Sequence, residues 1–118
     1  MKLLLLFMFS MLMLTMSPLE AKESMSLEQR VEAGKAIAFN RRKGNCLACH
    51  MMGDGQLPGN VGPPMVAMKA RFPDRDTLVA QIWDATIKNP YSVMPPFGSH
   101  GILSKKEIQL VVDYLYSL

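Results

Sequence analysis

Residues 46–50 read Cys46-Leu47-Ala48-Cys49-His50, and this C-x-x-C-H stretch decides how the rest of the chain is read. Two thiols at i and i+3 match the separation of the two vinyl groups of a haem, across which they add to form thioethers. The histidine that follows is then carried beneath the ring to the iron, which makes Cys46 and Cys49 the attachment pair and His50 an axial ligand of a covalently held haem c. Three other readings are weaker. A thioredoxin-like redox pair needs a preceding strand and a longer α/β chain. A zinc site of Cys46, Cys49, His50 and His100 would ask two adjacent residues to share one small tetrahedral ion. A disulfide is the first guess for two cysteines in an exported protein, but it leaves His50 unexplained.

Outward from the motif, the flanking chain reads as helices joined by loops. Ser26-Leu27-Glu28-Gln29 is a capping box, and Leu27, Val31, Gly34 and Ala38 recur on one face, which predicts a helix from about 27 to 41 closed by Gly44. Residues 51–61 have the Gly, Asp, Gln, Pro and Asn content of a loop. Gly62-Pro63-Pro64 opens a short helical turn through Lys69. Asp74 or Asp76 caps a further helix with Leu78, Ile82 and Ala85 on one face and Val79 and Trp83 beside them, ending at Asn89-Pro90. Ser104-Lys105-Lys106-Glu107 is a second capping box, before Ile108, Val111, Val112 and Leu115 at helical spacing. Nothing alternates with period two, so the expected fold is all-α.

Length and composition bound the function. The chain has 118 residues with 49% hydrophobic and 19% charged, which fits one small domain. Five of the eleven methionines and a run of leucines fall within the first sixteen residues. Met1-Lys2 followed by the uncharged stretch Leu3–Met16 is too short to span a bilayer and reads as a signal peptide, with cleavage after Ala21 and a haem domain over 22–118. An uncleaved anchor is the rival reading, and no cysteine near the cut suggests a lipoprotein. Loss of 1–21 removes Lys2 and Glu20 and leaves the net charge at +3, too small and scattered for a nucleic-acid binder. The expected location is the periplasm, with no stable membrane insertion after cleavage.

A six-coordinate haem needs a second axial ligand, and the candidates are Met25, Met51, Met52, Met65, Met68, Met94 and His100. Met65 and Met68 suit packing against the ring edge. Met94 precedes Pro95-Pro96, whose stiff backbone can aim its thioether, and a soft thioether raises the potential as an electron acceptor requires. Met94 is therefore the favoured sixth ligand, with a packing role as its bland reading and His100 as the alternative ligand.

Gly34, the C-x-x-C-H motif, Gly62-Pro63, Met94-Pro95 and a terminal helix carrying Tyr114 together resemble the class I monohaem cytochromes c over residues 22–118. The resemblance implies that the first and last helices cross at Gly34 against Tyr114, and that the Pro63 carbonyl accepts a hydrogen bond from His50, fixing its tautomer. The phrases GKAIAFNRRKGNCLACH, PGNVGPP, NPYSVMPPFG and ILSKKEIQLVVDYLYSL are, more narrowly, similar to the X subunit of the bacterial sulfur-oxidation (Sox) cytochromes. That similarity implies a larger c-type cytochrome as partner, in a heterodimer that joins thiosulfate oxidatively to a cysteine of a carrier protein and passes electrons to a downstream cytochrome. With both cysteines consumed by haem and both axial positions filled, this chain would carry electrons, and the reactive sulfur would sit on the partner. A free periplasmic shuttle to a terminal oxidase is the alternative, and a haem sensor with a displaceable sixth ligand is a third. Arg41-Arg42-Lys43, Lys105 and Lys106 are candidate docking residues, with a solvated helix end as the bland reading of the first three, and Phe97 either presents an apolar docking surface or packs in the core.

Overall fold

The computed structural model describes residues 24–118, and the expected cleavage site and residues 1–21 lie outside them. Four α-helices follow in order: α1, Leu27–Phe39; α2, Met68–Arg71; α3, Arg75–Trp83; and α4, Lys105–Leu115. A 3-10 turn, Cys46–Ala48, sits between α1 and α2. Among the described residues no strand occurs, and an isolated parallel bridge pairs Met52 with Met65. The fold is all-α, as the helical periodicities predict.

Both capping boxes form. Ser26 Oγ accepts from the Gln29 N–H while Gln29 Oε1 accepts from the Ser26 N–H at 2.7 Å. Ser104 and Glu107 make the same reciprocal pair at the start of α4. Each such cap satisfies helix-end N–H groups that have no partner within the helix, a contribution of about 1 kcal/mol. Asp74 caps α3 by accepting from the Asp76 N–H.

α1 packs across α4 at Gly34, where a Cβ would lie 1.9 Å from the Leu110 carbonyl oxygen and 3.0 Å from the Tyr114 Cβ. The missing side chain is what lets the two backbones approach. Tyr114 stacks edge-on against Phe39 with ring centres 6.0 Å apart. Ile108, Val111, Val112 and Leu115 of α4 are buried and form the spine of the core, with Leu78 and Ile82 of α3 and Leu103 around them. Burying such side chains contributes roughly 1.5–3 kcal/mol each and is the main source of stability. The carboxylate of Asp113, 5% exposed, ties the elements together, meeting Arg30 of α1 at 2.5 Å and Arg75 of α3 at 2.8 Å. Arg30 approaches Oδ2 away from hydrogen-bonding geometry, so that contact is an ion pair alone.

Three boundaries differ from those expected. α1 ends at Phe39, and Asn40 accepts from Lys43 and Asn45 in a turn that brings Gly44 back onto Ile37. No helix begins at Gly62; the Met65 N–H is taken up by the Met51 carbonyl in the bridge to Met52, Ala67 turns through left-handed backbone, and α2 starts only at Met68. α3 stops at Trp83, well before Asn89-Pro90, because the Asp84 carboxylate accepts from the Thr86 N–H and hydroxyl, and such a local bond competes with helix continuation.

Candidate haem-binding site

Asn45 adopts a left-handed backbone at φ +48°, a conformation its short polar side chain tolerates, and this bend sets off the 3-10 turn that carries the two cysteines. The His50 N–H closes the turn by donating to the Cys46 carbonyl at 2.9 Å. Cys46 and Cys49 are not bonded to one another. Burial pushes the Cys46 thiol up to about 11, so it is neutral in the haem-free fold.

His50 is buried, and its Nδ1 lies 2.7 Å from the Pro63 carbonyl oxygen. A carbonyl can only accept, so Nδ1 carries the proton and the Nε2 lone pair is the one available to a metal. Gly62 lets this happen: a Cβ there would lie 2.1 Å from Cε1 and 2.4 Å from Nδ1 of His50. The loop 59–64 is itself held by Gly59 and Gly62, which donate to the Leu47 and Cys49 carbonyls. The C-x-x-C-H turn and the loop that follows it therefore brace the same imidazole.

Cys46, Cys49, His50, Pro63 and Met94 all line one cavity of about 690 Å³, within the range of small-molecule and cofactor sites. Its remaining wall is mostly apolar and includes Leu78 and Ile82 of α3, Val111 and Leu115 of α4, and Phe97. Two free thiols, an imidazole with its tautomer set and an apolar chamber of this size form a donor set and volume that fit a covalently attached haem. Among the described residues no group of three or more His, Cys, Asp or Glu is arranged to hold a metal ion, so His100 does not join the cysteines in a zinc site.

Of the candidate sixth ligands, Met52, Met65, Met68 and Met94 line the cavity, whereas Met25, Met51 and His100 do not. Met52 and Met68 are buried within the core, and the sulfur of Met68 accepts from Arg71 at 3.4 Å. Met94 reaches the cavity from the loop between α3 and α4, where its N–H donates to Ser92 Oγ.

The docking residues divide. Phe97 is buried and packs in the core, since the turn at 97–101 folds it inward as the Leu103 N–H donates to its carbonyl. The exposed apolar side chains at the cavity, among the described residues, are instead Tyr91, 92% exposed, Val93, 80%, Val61, 65%, and, least so, Ile102, 38%. Composition gave no signal for these, because exposure of a loop side chain depends on the turn that presents it. Lys43 is engaged by Glu107 at 2.7 Å, and Lys105 lies over the Trp83 ring at 5.7 Å. Among the described residues, Arg41, Lys43 and Arg71 are the charged side chains of the cavity wall, and no Asp or Glu lines it.

Residues 29–115 match the family model described as cytochrome c oxidase, cbb3-type, subunit III. A protein of Aquifex aeolicus (strain VF5), described as an uncharacterized lipoprotein, is 36% identical over 77 residues, which are 64% of this chain and 37% of the relative. The chain thus spans little more than a third of the length of that relative.

Proposed function

Since the chain belongs to the cytochrome c family described as cytochrome c oxidase, cbb3-type, subunit III, and so carries a covalently bound haem c, we propose that it is the electron-transfer subunit of a periplasmic thiosulfate-oxidising heterodimer of the Sox type. The haem supplies a reversible one-electron couple. Cys46 and Cys49 would anchor it through thioether bonds, and His50 and Met94 would offer its iron a nitrogen and a sulfur. The observation that carries this assignment is the meeting of those four side chains, from two segments far apart in the chain, at one apolar cavity.

Each residue has a separable task. Pro63 orients His50 and, by accepting its Nδ1 proton, makes Nε2 a stronger donor. Met94 occupies the position that substrate would need, so the chain exchanges electrons without binding thiosulfate. The sulfur chemistry then belongs to a larger c-type cytochrome bearing a free cysteine. The MPPFG and C-terminal phrases support the Sox assignment, and Tyr91, Val93 and Val61 supply an apolar lip at the cavity for such a partner.

The acid-free cavity wall, with Arg41 and Lys43 on it, favours a second reading, a free shuttle that docks on acidic partners by long-range attraction. A native pull-down of the tagged holoprotein from periplasmic extract, washed at high salt, separates the two. A second c-type cytochrome with a non-haem cysteine, retained in equal amount, is expected; a lone monomer, or a partner lost in salt, overturns the heterodimer. Loss of the ferric iron–thioether absorption in Met94→Ala is the expected check on the sixth ligand.

A further inference from the structure

The segment carrying Met94 leaves α3 at Asp84 and returns to it fifteen residues later at Ser99. One carboxylate closes this loop. Asp84 Oδ1 accepts from the Thr86 N–H at 3.0 Å and the Thr86 hydroxyl at 2.5 Å on the outgoing limb. Asp84 Oδ2 accepts from the Ser99 hydroxyl at 2.8 Å on the returning limb. Beside it, the Trp83 carbonyl accepts from the Gly98 N–H at 3.0 Å and the Ser99 N–H at 3.3 Å. Gly98 lies against the indole so closely that a Cβ would come within 2.1 Å of it.

The two limbs differ in stiffness. Between Met94 and the Ser99 anchor stand Pro95, Pro96, the buried Phe97 and Gly98, the last pinned by its N–H on the Trp83 carbonyl, leaving few soft dihedrals through which the anchor's position can be lost. The outgoing limb is longer and carries exposed Ile87, Tyr91 and Val93. The place of the thioether is therefore governed from the Ser99 side. Thr86 first, Ser99 next and the nearby His100 hold the Asp84 carboxyl below its ordinary value, so it is an ionised acceptor at neutral pH.

We propose that Asp84 is a positioning residue, whose carboxylate bridges Thr86 and Ser99, closes the base of the loop and so holds Met94 within reach of the haem iron. This rests on the assignment of Met94 as axial ligand. Loosening the bridge raises the fraction of molecules in which the loop stands away from the iron, without touching the ligand itself.

The test uses the haem-loaded ferric protein titrated with imidazole, which competes with Met94 for the iron, followed at the iron–thioether absorption. Asp84→Asn replaces one acceptor oxygen with a donor, and Ser99→Ala removes the hydroxyl of an exposed residue, a change the fold tolerates. Each single variant is expected to bind imidazole about fivefold more tightly, the effect of one net hydrogen bond lost from the closed state. The double variant is expected to match the singles, since both break one bridge. Wild-type imidazole affinity in both singles, or a double variant equal to the two effects summed, overturns the proposal. Met94→Ala distinguishes failure of the premise: absorption that survives it removes the ligand assignment, whereas its loss beside unchanged Asp84→Asn and Ser99→Ala removes the latch alone.

Discussion

At the scale of single residues, the haem site depends on what is missing from Gly62. Any side chain there would occupy the space of the His50 ring. Gly62→Ala is expected to push the imidazole off the Pro63 carbonyl and to lower the yield of holoprotein about tenfold, the low end of what loss of an outer partner costs a metal site, as read from the reduced haem spectrum. Cys46, Cys49 and His50 were legible in the sequence because their chemistry is written in adjacent positions. Met94 stood out among seven candidates through its prolines, which are equally local. Phe97 stayed open between docking and packing for the opposite reason, because whether a loop aromatic points in or out is decided by the turn at 97–101 and by α3, neither of which its neighbours encode. The role of Asp84 was hidden in the same way, as its partner Ser99 lies across a loop.

Among the elements, α4 is held at both ends and along its length. Its cap residue Glu107 also accepts from Lys43, which fastens the helix to the segment just before the cysteines. The Lys43 bond first, and then the Ser104 N–H, bring the Glu107 carboxyl down from 4.5 to about 2. A carboxyl so lowered stabilises the fold above its ordinary value, and that contribution disappears as the pH falls from 4.5 through about 2. Glu107→Gln is therefore expected to melt lower at neutral pH and to show a flatter dependence of Tm on pH in that acid window. At the other contact of α4, Gly34→Ala is expected to cost about 3 kcal/mol in urea unfolding, the upper end for overfilled packing, because the clash is with backbone that cannot rotate away. Both capping boxes were legible as four-residue patterns. The end of α3 was not, since Asp84 competes for the chain before Pro90 is reached.

For the whole molecule, the buried Asp113 joins α1, α3 and α4, and Asp113→Asn is expected to destabilise by about 2 kcal/mol. This falls short of a fully buried pair because Arg30 and Arg75 keep 40% and 31% of their side chains in water. Replacing both Arg41 and Arg42 with Glu is expected to slow reduction by an acidic partner and to flatten its dependence on ionic strength in stopped-flow traces. The basic run at Arg41 and Lys43 was readable beforehand, but the triad was not, because it joins residues from distant parts of the chain. The same distance has a consequence for how the protein is made. A ribosome delivers α1 long before α4, at roughly 5–20 residues per second, and Gly34 has nothing to pack against until Leu110 and Tyr114 have emerged. Throughout that interval Cys46 and Cys49 lie outside any finished cavity, because Val111 and Leu115 of its wall arrive only with α4.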